Sequence, residues 1–159
     1  MKTILIVLIL SMSGIHAMSA SKNTKSAKTD LSSQYVKALG FGGQKFTRKS
    51  SGIWTLAGGV TIYSTEAYSG KIRGYAGSTP LFMAVSDKGK IISIVAAPNM
   101  ETPEYFEQVL QSKLLTQWNG KTLAEAATFK PDIVTGATYS SYAVIRTVNA
   151  TAKHLSTKK

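Results

Sequence analysis

Residues 81–95 read Leu-Phe-Met-Ala-Val-Ser-Asp-Lys-Gly-Lys-Ile-Ile-Ser-Ile-Val, and this stretch sets the fold class. Leu81 to Val85 is an apolar run of strand length, Ser86-Asp87-Lys88-Gly89 supplies turn residues, and Ile91 onward returns to a β-branched pattern. Two such runs around a polar glycine turn predict a β-hairpin. Upstream, Val60-Thr61-Ile62-Tyr63 predicts an earlier strand. Downstream, the apolar spacing changes to three and four. Thr102-Pro103 opens a helix, with threonine as N-cap, proline in the first helical position, and Glu104 and Glu107 in the first turn. Tyr105, Phe106, Val109 and Leu110 share one side of it, and Asn119-Gly120 stops the segment. Thr122-Leu123-Ala124-Glu125 is a capping box for a further short helix that Pro131 ends. A last helix starts near Tyr139, carrying Tyr142, Ile145, Val148, Ala152 and Leu155 three or four apart. Strands first and helices after predict an α+β domain, a small antiparallel sheet with helices.

The chain has 159 residues, enough for one domain. A domain near that length buries roughly 68–70% of its unfolded surface and folds without metal or disulfide. Cysteine is absent, which excludes disulfides, thiolate metal sites, iron–sulfur clusters and a cysteine nucleophile. The only histidines are His16 and His154. A zinc site or Ser-His-Asp triad would rest on His154 alone, close to two terminal lysines. Redox or hydrolytic chemistry would therefore arrive with a cofactor.

Met1-Lys2, an apolar run with ILIVLIL at its heart, and small residues at Ala17, Ser19 and Ala20 predict a secretory signal peptide over residues 1–20. The run is short of the roughly 20 residues that span a bilayer, and no cysteine follows it for lipid attachment. The expected product is exported to the periplasm or cell surface. Residues 21–50 carry Lys22, Lys25, Lys28, Lys37, Lys45, Arg48 and Lys49 against Asp30. This stretch is expected to be a flexible lead-in near an anionic membrane surface. It shows no organised basic face, so nucleic acid is not an expected partner. The folded domain is expected over residues 51–157.

The most informative segment is Asp132-Ile133-Val134-Thr135-Gly136-Ala137-Thr138-Tyr139-Ser140-Ser141. It passes from a short apolar stretch through a glycine turn into the start of the last helix, where unpaired N–H groups and the positive end of the macrodipole converge. Such a terminus suits a phosphate, Gly136 allows close backbone approach, and Thr138 offers a hydroxyl. Read from spacing alone, Thr138 is a helix N-cap bonding an N–H two or three residues on; a phosphate site is the alternative.

The pattern Asp132-x-x-Thr135-Gly136-Ala137-Thr138 resembles the flavinylation motif of FMN-binding domains, a family that includes subunits of the sodium-pumping NADH:quinone reductase and related ion-pumping complexes. The resemblance covers roughly residues 54–155. It extends to Gly74-Tyr75-Ala76-Gly77-Ser78-Thr79-Pro80-Leu81 before the hairpin and to Asn99-Met100-Glu101-Thr102-Pro103 at the following helix start. It implies that Thr138 is esterified to the phosphate of FMN, and that Asp132, Thr135, Gly136 and Ala137 are recognised by an FAD:protein FMN transferase, which uses Mg²⁺ and FAD, and shape the turn. Thr102 and Glu101 match residues near the flavin ring; read from the residues alone they are a helix cap and its neighbour. Many members carry glycine after Glu-Thr-Pro, where this chain has Glu104. Gly74 and Gly77 would permit close approach to the cofactor or simply shape a turn. Tyr75, Phe106 and Trp118 are candidate ring platforms, or packing residues.

The resemblance implies a secreted electron carrier serving a membrane oxidoreductase; no acid–base or nucleophilic constellation is visible for turning over a substrate of its own. A flavin-dependent reductase of a small molecule and a non-redox envelope-binding module are the alternatives. Asn149-Ala150-Thr151 matches a glycosylation sequon inside the last helix, where chance is the better account.

Overall fold

The predicted hairpin forms: β4 (Leu81–Val85) and β5 (Ile91–Ala96) pair antiparallel, with Met83 opposite Ile94. The turn closes at Gly89, whose φ of +71° suits glycine, and Ser86 Oγ accepts the Lys90 N–H at 3.1 Å. This computed structural model describes residues 30–158. Residues 1–20, expected to be a signal peptide, and the Lys22, Lys25 and Lys28 part of the lead-in lie outside the described residues.

Three strands precede the hairpin: β1 (Phe46–Ser50), β2 (Ile53–Leu56) and β3 (Thr61–Ser64). The sheet order is β1-β2-β3-β4-β5, and every neighbouring pair is antiparallel. The long connection from β3 to β4 holds α2 (Glu66–Ser69) and the loop over residues 70–80. The fold is α+β, as expected.

Alternation explains why β4 is apolar at every position. Leu81, Met83 and Val85 point to one face of the sheet and join Ile91, Ile94, Phe106, Val109, Trp118, Val144 and Val148 in the main core. Phe82 and Ala84 point to the other and pack with Trp54, Leu56, Ile62, Leu31, Val36 and Leu39. A central strand covered on both sides reads as a continuous apolar run. Helices α3 (Pro103–Gln111), α4 (Leu123–Ala126) and α5 (Thr138–Ser156) contribute to the first core. Phe106 and Trp118 are packing residues within it.

The second core corrects the lead-in. Residues 31–41 are not a mobile tether: α1 (Ser33–Val36) continues into a π-helical turn over Lys37–Phe41 and covers the far face of the sheet. Ser93 Oγ donates to the Leu39 carbonyl at 2.7 Å, fastening this layer to β5. Residues 46–50 form an edge strand whose Thr47, Arg48 and Lys49 are exposed, which suits a solvated sheet edge. The folded unit therefore begins well before residue 51. The reason is burial: Leu31, Val36 and Leu39 are few in a Ser- and Lys-rich stretch, yet each is at most 6% exposed.

Helix limits also differ. The Thr122–Glu125 capping box is present in both directions. Helix α3 starts at Pro103 but ends at Gln111. Ser112 Oγ bonds the Val109 carbonyl and accepts the Leu114 N–H, a local alternative that stops the helix. A 3₁₀ turn at Leu115–Trp118 then seats Trp118 in the core.

Candidate functional site

The chain between α4 and α5 is fixed at three points before it reaches Thr138. Gln117 holds the Asp132 backbone from both sides, its Oε1 accepting the N–H at 3.0 Å and its Nε2 donating to the carbonyl at 3.2 Å. Ser141, one turn into α5, accepts the Val134 N–H at 3.1 Å. The Ala137 N–H closes the turn on the Val134 carbonyl at 3.1 Å. Gly136 sits at φ +84°, and a Cβ there would lie 2.8 Å from Gln108 Oε1. Backbone conformation and space both ask for glycine.

Ala137, buried, occupies the N-cap of α5, and Thr138 is the first helical residue. Thr138 therefore does not cap the helix. Its side chain is exposed, and its hydroxyl is bonded by none of the described residues. The first intrahelical bond runs from the Ser141 N–H to the Ala137 carbonyl. The N–H groups of Thr138, Tyr139 and Ser140 are left without a backbone acceptor at the positive end of a 19-residue helix.

A cavity of about 280 Å³ opens over this terminus, lined by Tyr75, Tyr105, Gly136, Ala137, Thr138, Tyr139 and Ser140. Its rim is aromatic. The Tyr75 ring lies 5.8 Å from Tyr105 and 6.3 Å from Tyr139, centroid to centroid, and all three are exposed. Exposed rings around a free hydroxyl and three free amides offer a flat apolar platform beside an anion-binding terminus.

Glu101, 6% exposed, is bonded to two residues of the cavity wall. Its carboxylate accepts the backbone N–H of Tyr75 (3.1 Å), Ala76 (3.1 Å) and Gly77 (2.8 Å), and the Ser140 hydroxyl at 2.6 Å. Burial raises its pKa, but the Ser140 bond and the three amides outweigh that and hold it below the ordinary glutamate value. Gly74 and Gly77 are turn residues that let the loop close. A Cβ at Gly74 would sit 2.5 Å from Glu101 Oε2, and one at Gly77 would sit 2.7 Å from Met100 Cβ.

The structure thus gathers Thr138, Ala137, Gly136 and Tyr75 around one cavity, with Glu101 bonded to its lining residues Tyr75 and Ser140 and Gly74 against the Glu101 carboxylate. Thr102 occupies the N-cap of α3, half-buried, and its side chain makes no capping bond. Thr135 and Asp132 are exposed on the approach to the turn and do not line the cavity; nor does Glu104, the departure from the family pattern. Sequence reasoning missed Tyr105, Tyr139, Ser140 and Ser141 as site residues. Tyr105 shares a side of α3 with Phe106 and Val109 in the sequence pattern, yet it is 42% exposed while those two are buried. A tyrosine at a helix edge, whose hydroxyl seeks water, was the available signal.

A sequence profile described as the FMN-binding domain matches residues 74–153. The chain belongs to that family. The matched span of this FMN-binding domain begins at the glycine that admits Glu101 and contains every residue lining the cavity. FMN is accordingly its cofactor, and the donor set fits: free amides for a phosphate and aromatic rings for a flavin. No curated protein and no solved structure matches the chain. A larger cavity, about 430 Å³, opens beside Arg48, Ser64, Ser69 and Pro80, but no aromatic ring lines it. Among the described residues, no cluster of histidine, aspartate and glutamate could hold a metal ion, and no helix is long and apolar enough to cross a membrane.

Proposed function

We propose that FMN is attached covalently to the Thr138 hydroxyl through a phosphoester, and that the domain is an exported electron carrier. The observation that carries this reading is the unbonded, exposed Thr138 hydroxyl, set at the first residue of α5 and on the wall of the tyrosine-rimmed cavity. An FAD:protein FMN transferase would install the group. The Thr138 oxygen takes the phosphorus of the FMN half of FAD, and AMP leaves with the hydroxyl proton. The resulting phosphodiester keeps one negative charge, which the Thr138, Tyr139 and Ser140 amides and the helix dipole stabilise. Bound FMN supplies the electron acceptor and donor.

The chain's own residues bind and orient. Tyr75, Tyr105 and Tyr139 offer faces and edges to the ring, and the turn at Gly136 sets where the ester begins. The cavity is at the small end of ligand pockets, which run roughly 300–1,000 Å³. A ring held there keeps part of its surface toward solvent, which suits exchange with a protein partner. A covalent bond retains a cofactor that an open cavity would otherwise lose by diffusion. On this reading the chain is exported to the periplasm or cell surface and serves a membrane oxidoreductase. The exposed Lys37, Lys45 and Lys49, together with the charge of Lys22, Lys25 and Lys28 in the sequence, favour an anionic membrane.

The test is the intact mass of the chain co-expressed with and without the transferase. An added mass of one FMN less water, present only with the transferase and absent from Thr138→Val, is the expected result. An unmodified mass in both cultures would sink the attachment.

A further inference from the structure

We infer that Glu101 is a positioning residue, whose buried carboxylate joins the loop over residues 74–77 to the first turn of α5 and so holds Tyr75 at the cavity wall beside Thr138. The inference rests on the reading that FMN is carried at Thr138, and it concerns what places the ring's platform.

Four groups converge on this one carboxylate, three from the loop and one from α5. Within the loop, the single backbone bond runs from the Gly74 N–H to the Gly77 carbonyl at 2.7 Å. Among the described residues, every other backbone hydrogen bond made by residues 73–79 goes to Glu101. The Tyr75 side chain has little else to fix it. It is 65% exposed, with its ring near those of Tyr105 and Tyr139, themselves exposed. The position of Tyr75 therefore follows from its backbone, and its backbone follows from Glu101. The Ser140 hydroxyl carries the same tie into the residue two places after Thr138, so platform and attachment point share one anchor. Glu101 does not itself line the cavity. Asn99 braces it from behind, its Oδ1 accepting the Glu101 N–H at 3.0 Å.

The substitution that tests this is Glu101→Gln. It keeps the size but replaces one acceptor oxygen with an NH₂ group that cannot accept. Two readouts are taken on the full chain. The first is amide hydrogen exchange at residues 75–77 without FMN, expected to quicken by about tenfold or more, because hydrogen bonds to a charged acceptor are lost. The second is flavin fluorescence of the modified protein. Neighbouring tyrosines quench a flavin, so emission is expected to rise in Glu101→Gln and in Tyr75→Leu, the latter with unchanged exchange at residues 76 and 77. Val148→Ala, a core truncation away from the site, is expected to lower thermal stability and leave emission unchanged. Ser140→Ala removes one of the four bonds and is expected to show smaller effects in the same direction, should Glu101→Gln fold poorly. Unchanged exchange and unchanged emission, with FMN still attached, overturn the positioning role. A wild-type chain that never gains FMN refutes attachment instead, and the exchange measurement then decides Glu101 alone.

Discussion

The Tyr35 ring lies against Phe82, centroids 4.9 Å apart and tilted by 45°. The pair joins the N-terminal layer to the central strand and shows why this domain needs residues ahead of the matched family span. Phe82 faces away from the cofactor side, and with Trp54 and Ile62 it would form an apolar sheet face open to water. Tyr35→Ala is expected to lower unfolding free energy by about 1–3 kcal/mol, measured by urea denaturation. Deleting residues 1–43 is expected to expose that face, giving dye binding and self-association. A monomeric, equally stable truncation would contradict the second core.

Thr138→Val separates attachment from capping. A capping hydroxyl costs about 0.5–2 kcal/mol when removed, but the Thr138 hydroxyl bonds nothing among the described residues. The substitution is expected to change stability by less than about 0.5 kcal/mol, as for an exposed surface site, while abolishing the added FMN mass. Denaturation and intact mass on the same sample decide the matter.

Glu101 makes stability depend on acid. Its folded pKa lies below the ordinary 4.5, so the folded state binds its proton less readily than the unfolded chain. The stabilisation is therefore complete above the ordinary range and is lost as pH falls through the depressed folded value. At pH 7, Glu101→Gln is expected to be less stable than wild type by about 1–3 kcal/mol, because buried donors lose their acceptor. That gap narrows in acid below the ordinary value. A difference that stays constant from pH 7 to pH 3 would contradict the carboxylate's part in it.

Gly136→Val places a branched side chain at φ +84° and directs its Cβ toward Gln108. The left-handed conformation alone costs about 1–2 kcal/mol for such a residue, and the turn before α5 is expected to shift. Flavinylation should fail even though Thr138 is intact, and mass spectrometry after co-expression with the transferase reports it.

The lysine-rich surface predicts salt-sensitive association. Binding of the chain to vesicles containing anionic lipid is expected to weaken steeply as ionic strength rises from about 0.01 M to 1 M, where the screening length falls from about 30 Å to 3 Å. Affinity that ignores salt would remove the electrostatic role.

Several features are legible in the sequence. The β4–β5 hairpin, the start of α3, the Thr122 capping box and the turn into α5 each depend on residues adjacent in the chain, whose local chemistry gives the same answer in any fold that accepts them. The end of α3 was not legible, because Ser112 stops the helix by hydrogen bonds that compete closely with continuing it. Burial of residues 31–41 was hidden because three apolar side chains among lysines and serines signal nothing until a sheet face needs cover. Tyr105 and Tyr139 were invisible as site residues for a similar reason. Their exposure depends on what packs beside them.

The α+β class, the family, the glycine turn and the place of Thr138 can all be read along the chain, since each resides in a short run of local or motif-bearing residues. It takes the folded chain to leave the Thr138 hydroxyl unbonded by the described residues and to bring three tyrosines from separate segments around it. Packing also brings the Glu101 carboxylate onto the amides of residues 75–77 and the Ser140 hydroxyl. The Glu101 bonds alone join residues 24 to 39 positions apart, and no local pattern encodes which distant amides and hydroxyls will meet a carboxylate until packing has brought them together.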